Sequence, residues 1–147
     1  MAVYESDKPI DMVITLHACD TATDYALYHA IRWNSRIIIS VPCCQHELNG
    51  QIESKDFGIL TRYGLLKERT AAIMTDAIRA NLLEYSGYKT QVLEFIDFSH
   101  TPKNLLIRGV KSNISKEHKE LMLSEVEKLI KEFSLSPTLY NLLIRGK

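Results

Sequence analysis

Asp11-Met12-Val13-Ile14-Thr15-Leu16-His17-Ala18-Cys19-Asp20 and Arg36-Ile37-Ile38-Ile39-Ser40-Val41-Pro42-Cys43-Cys44-Gln45-His46 are the two stretches on which the fold of this chain turns. Each opens with an apolar, β-branched run of the length of a strand buried on both faces. Each then ends in polar, reactive residues where a bland turn would be the ordinary sequel. Between them, Thr21 to about Trp33 reads as a helix. Asp20 or Thr21 is placed to cap it, and Ala22, Ala26, Ala30 and Trp33 recur on one side. Strand, helix, strand is a parallel βαβ unit. In an open parallel sheet ligands bind beyond the carboxyl ends of the strands, so both reactive clusters fall on one functional edge.

Working outward, Glu47 to Gly64 is polar and holds three of the six glycines, so it reads as a long loop with at most a short helical turn. Lys67 to Ser86 predicts a helix with Leu66, Ile73, Met74, Ala77, Ile78 and Tyr85 on one face, stopped by Gly87. Tyr88 to Phe98 reads as a third strand. Ser99 to Lys103 turns it back into a fourth, Asn104 to Lys111, as an antiparallel pair. Ser115 to Phe133 predicts a helix buried through Met122, Val126, Leu129, Ile130 and Phe133, and Ser136 to Ile144 a short last one. The fold class is therefore α/β, a mainly parallel sheet with one antiparallel strand. The first strand has no predecessor to pair on its other side, so the sheet looks like half of a larger one.

The 147 residues suffice for one domain with its own core. Eighteen basic residues balance eighteen acidic ones, so no net field draws the chain to nucleic acid or to an anionic membrane. The apolar runs are too short to span a bilayer, and Met1 to Pro9 has no signal-peptide stretch. Three cysteines without framework spacing point to reduced thiols, and so to the cytoplasm.

Three motifs in order carry a resemblance: Leu16-His17-Ala18-Cys19-Asp20-Thr21-Ala22-Thr23-Asp24, then Pro42-Cys43-Cys44-Gln45-His46, then His100-Thr101-Pro102-Lys103-Asn104-Leu105-Leu106-Ile107-Arg108. Up to about Lys111 the chain resembles the C-terminal half of a class I, Rossmann-like S-adenosylmethionine-dependent methyltransferase domain. Within that superfamily it is most similar to the branch with a His-x-Cys-x-x-x-Thr-Asp stretch and a Cys-Cys pair, which includes transfer-RNA methyltransferases. One departure stands out. Such enzymes hold the cofactor on a glycine-rich loop after their first strand, where the backbone must approach the ligand closely. Here the six glycines stand isolated, and there is no room before Ile10 for that loop and its strands. The expectation is a fragment of a longer protein, or a chain that needs a partner: a missing N-terminal segment, another chain, or a second copy joined through the first strand's edge.

The resemblance implies S-adenosylmethionine as cofactor, bound along Leu16, His17, Ala18 and Cys19, and an acceptor on RNA. His17 is the natural proton acceptor because imidazole titrates near neutrality, and Asp20 is the alternative base. Asp24, in the first turn of a helix, is weighted as structural. Pro42, Cys43, Cys44, His46, His100, Lys103 and Asn104 are the substrate-side candidates, and Arg62, Lys67 and Arg69 could guide an anionic acceptor.

The cysteines admit three readings. They are small buried thiols, or a metal site with His17 and His46, or, through Pro42-Cys43, a nucleophile toward a pyrimidine ring. The first leads, and no metal is assigned. If strand geometry persists past Val41, Cys43 and Cys44 point to opposite sides and only one faces the edge. Two rivals from other classes stand beside the enzyme: a non-catalytic α/β interaction module and a Cys/His metal-binding protein.

Overall fold

β-Branched runs bounded by polar turns form the strands, and the segments between them fold as helices on one side. The computed structural model describes residues 9–94 and 105–146. Along the chain these are β1 (Met12–Leu16), α1 (Thr21–Arg32), β2 (Ile37–Val41), α2 (Gly58–Thr61), α3 (Gly64–Tyr85), β3 (Tyr88–Glu94), β4 (Leu105–Lys111), α4 (Lys116–Phe133) and α5 (Thr138–Tyr140). The sheet order is β1-β2-β4-β3. β1 pairs with β2 in parallel, from Met12 opposite Ile37 to Leu16 opposite Val41. β4 lies between β2 and β3, antiparallel to both.

Three strands thus run one way and β4 alone runs against them, as the sequence predicts. Because the reversed strand sits inside the sheet and not at its edge, two of the three ladders are nevertheless antiparallel. A mixed, partly parallel α/β sheet of this kind is compatible with part of a methyltransferase-like fold.

The core forms where α1 and α3 cover one face of the sheet and the last helices pack against them. Leu27, Ile38, Leu82, Tyr88, Ile107 and Leu139 are fully buried there. The stripe expected on α1 is shifted, for Thr23, Asp24, Leu27 and Ala30 face inward. On α3 the inward face is Ala71, Met74, Thr75, Asp76, Ile78, Arg79, Leu82 and Leu83, while Leu66, Ile73 and Ala77 are exposed. Apolar periodicity points past this face because two of its members are charged.

The long segment after β2 is not a free loop. A 3-10 turn at Leu48–Gly50 buries Leu48, and Ile52 follows it into the core. Glu47 accepts hydrogen bonds from the Thr138 hydroxyl at 2.5 Å and the Thr138 N–H at 3.2 Å, fastening the segment to α5. α3 stops as its sequence predicts, with Gly87 at φ 94°. A Cβ there would touch nothing closer than the Lys119 ammonium at 3.5 Å, so the objection to a side chain is conformational and not steric. Gly87→Ala is expected to cost about 1–2 kcal/mol in chemical denaturation, the left-handed penalty of an L-residue.

The other sheet face is open among the described residues. Met12, Ile14 and Leu16 are 45, 55 and 65% exposed. By register they share that face with Ile37, Ile39, Val41 and Val110, all only partly covered. This apolar surface runs continuously to the β1 edge.

Candidate functional site at the carboxyl ends of β1 and β2

The parallel ladder ends with Leu16 beside Val41, so the segments that follow leave the sheet side by side. The first turns sharply. His17 has φ 54°, and Asp20 has φ 49° with ψ −123°. Such backbone costs of order 1–3 kcal/mol in a residue with a Cβ and concentrates at functional sites. His17 and Cys19 are exposed, Ala18 and Asp20 partly so.

Asp20 stands at the start of α1 but makes no side-chain cap bond there. Its Oδ1 instead accepts from the backbone N–H groups of His46 and Glu47, each at 3.0 Å. The carboxylate therefore ties the turn after β1 to the turn after β2. Thr23 makes the local bond, its hydroxyl donating to the Ala18 carbonyl at 2.6 Å.

Beneath these turns lies a charged network that apolar patterning does not reveal. Arg79, 1% exposed, donates from Nε and Nη2 to the two oxygens of Asp24 at 3.0 and 2.7 Å. It also donates from Nη1 to Asp76 at 3.2 Å and from Nη2 to the Asp20 carbonyl at 2.8 Å. Gln45 donates to the other oxygen of Asp76 at 2.9 Å. Burial opposes the guanidinium charge, but Asp24 and Asp76 more than offset it and hold Arg79 above its ordinary pKa. Burial likewise raises Asp76, although Arg79 and Gln45 pull it down. One arginine thus fixes the start of α1 and, through Asp76 and Gln45, the turn after β2. The structural weight given to Asp24 agrees with this pairing. Arg79, Asp76 and Gln45 were missed, and the available signal was a pair of charges three apart inside an apolar helix stripe.

The three cysteines converge. Cys43 Sγ lies 3.3 Å from Cys19 Sγ and 3.2 Å from Cys44 Sγ, and all three are thiols. The alternation expected for Cys43 and Cys44 fails because β2 ends at Val41, so the pair lies in irregular backbone and both sulfurs gather toward Cys19. Hydrogen bonding with Cys44 and then with Cys19, with burial behind them, pushes the Cys43 thiol up to about 12. A nucleophilic cysteine needs the opposite shift, which counts against the pyrimidine-adduct reading. In the reduced protein Cys43 is expected to carry less thiolate than an ordinary thiol at the same pH. Mass-resolved alkylation should accordingly modify it slowly.

Beside this edge is a cleft of about 670 Å³, walled by Pro42, Gln45 and His46 after β2, by Leu65, Arg69 and Ile73 of α3, and by Val92–Glu94 and Leu105 at the far strands. Pro42 and His46 of the substrate-side set line it; Leu16 to Cys19 do not. A larger, more polar groove of about 880 Å³ near Glu53, Lys128 and Lys131 contains none of the strand-end residues. His100, Lys103 and Asn104 lie outside the described residues.

Residues 2–51 match the family model of a methyltransferase domain. The matched span contains β1, α1 and β2, and with them both strand-end clusters. The match supports a methyltransferase domain. Proteins described as "Glutathione S-transferase C-terminal domain-containing protein" from Macaca fascicularis and Homo sapiens are each 26% identical over 122 residues. Those alignments cover 66% of this chain and 19% of the relatives, so the chain spans about a fifth of the length of the curated proteins it matches. No solved structure gives a significant match. No helix among the described residues is long and apolar enough to cross a membrane.

Proposed function

We infer that this chain is a methyl-transfer unit that uses S-adenosylmethionine, with its acceptor on RNA. One observation carries the reading: the methyltransferase match falls on the strand–helix–strand unit whose second strand ends at the apolar cleft. When bound, S-adenosylmethionine supplies an electrophilic methyl group for in-line displacement, a reaction served chiefly by alignment and exclusion of water. Leu16, His17, Ala18 and Cys19 fit one side of such a ligand, since their turn is exposed beyond the last β1–β2 pair. None of the glycines lies in that turn, so a second element adds the close backbone approach that tightens a cofactor this turn already holds.

The cleft takes the acceptor. Pro42 and His46 form its wall nearest the β1 turn, and Arg69 lines it from α3. Arg62 and Tyr63, exposed just before that helix though outside the cleft's lining, offer a cation and an aromatic face of the kind suited to a nucleobase and its phosphate. In this reading the acceptor atom projects from the cleft to the turn after β1, where the exposed His17 imidazole accepts its proton.

The open apolar face favours a second element, a partner chain or segment that covers β1 and completes the cofactor side. The non-catalytic module differs in one measurable respect, because it transfers no methyl group under any pairing. The test is transfer of labelled methyl from S-adenosylmethionine to total RNA. Label in RNA that disappears in His17→Ala is expected. Label confined to protein or small molecules would sink the RNA acceptor.

A further inference from the structure

We propose that Cys19, Cys43 and Cys44 form a three-thiolate site for one thiophilic metal ion, Zn²⁺ foremost, at the shared edge of β1 and β2. This stands apart from the methyl-transfer reading and does not depend on it. The three sulfur atoms all lie within 4.8 Å of one another, with two of the separations 3.2 and 3.3 Å. Zinc–sulfur bonds of about 2.3 Å at tetrahedral angles hold sulfurs roughly 3.8 Å apart, so an ion could enter after shifts of about half an ångström. Sequence spacing hides the site, because its ligands come from two segments that only the parallel ladder brings together.

Three features separate this cluster from ordinary packed cysteine. Cys19 is exposed, and so gains little as a small apolar filler. Both segments are fixed independently of the sulfurs. Asp20 holds the backbone N–H groups of His46 and Glu47, and Arg79 holds the Asp20 carbonyl and Asp24. A cluster held by its surroundings forfeits little conformational entropy when it closes on an ion. Among the described residues, no histidine or carboxylate joins the three sulfurs within that span. Among the described residues the fourth position is thus not filled by protein, the arrangement of exchangeable and catalytic zinc sites and not of closed structural ones. His17 and His46, the histidine ligands considered from sequence, are not part of it.

Binding converts thiols to metal-bound thiolates and releases their protons to solvent, up to three per ion. The experiment is titration of the reduced full chain with Zn²⁺ against a chelating dye, with proton release followed in weak buffer. Co²⁺ serves as the spectroscopic substitute. One equivalent, proton release and a thiolate-to-cobalt charge-transfer band are expected. Cys43→Ser should abolish the band, and Cys19→Ser should weaken Zn²⁺ binding by roughly a hundredfold, at the upper end of what even an outer-shell change costs. Should Cys43→Ser fail to fold, the exposed Cys19→Ser decides. Failure of folded, reduced protein to take up Zn²⁺, or uptake that Cys19→Ser leaves unchanged, would overturn the proposal.

Discussion

Arg79→Ala is expected to destabilise the protein by about 3–5 kcal/mol at neutral pH, enough to leave a domain of ordinary stability close to unfolding. The cost arises from what remains. Asp24, 3% exposed, and Asp76, 7% exposed, lose their shared cation, and the Asp20 carbonyl loses a donor. An uncompensated buried carboxylate escapes by taking up a proton. Burial already holds Asp76 above its ordinary pKa, and removing Arg79 drives it higher. A raised folded-state pKa contributes stability that is present below the unfolded value and is lost as pH rises through the folded one. The variant should therefore lie nearest to wild type in acid and fall away as pH rises toward neutrality. Urea denaturation at both ends of that range checks it. Combining Arg79→Met with Asp24→Asn and Asp76→Asn should recover much of the loss, since all three charges then leave together.

Asp20→Ala is expected to lower methyl transfer by roughly a hundredfold and to cost about 3 kcal/mol of global stability, the low end for two bonds to a charged acceptor. Its Oδ1 holds two backbone donors of the neighbouring turn at 3.0 Å, each a bond to a charged acceptor. Releasing them lets Pro42 to Glu47 move against the turn after β1, and a displacement of about 1 Å in a positioning element costs on the order of a hundredfold in rate. Asp20→Asn separates positioning from proton transfer. Asparagine keeps an acceptor oxygen and the shape of aspartate on the same backbone, but it cannot serve as a base. Near-normal turnover in Asp20→Asn, with a loss of about 10²–10⁴ in His17→Ala, is the outcome expected for a base at His17. An Asn variant as inactive as Ala would move that role to Asp20.

Much of the architecture is legible in the sequence because its signals are local. The runs 12–16 and 37–41 are β-branched and short, Gly87 sits where a helix must end, and Ser115 caps α4 by accepting from the His118 N–H. The legible part of the site is equally local, namely reactive residues immediately after two strands. The remainder depends on groups far apart in the chain. Arg79 meets Asp24 across 55 residues and Gln45 meets Asp76 across 31, and no periodicity reports a buried ion pair. The convergence of Cys43 and Cys44 on Cys19 depends on β2 ending at Val41, a boundary that sequence locates only to within a residue or two. The place of β4 inside the sheet is likewise a matter of pairing, since a reversed strand has the same local pattern at an edge as at the centre.

Calorimetric titration of the folded chain with S-adenosylhomocysteine addresses the central claim most directly. Saturable binding that weakens in His17→Ala and is untouched by Lys128→Ala, at the distant polar groove, is the predicted result. Absence of saturable binding by a sample shown to be folded would contradict a cofactor site at the end of β1.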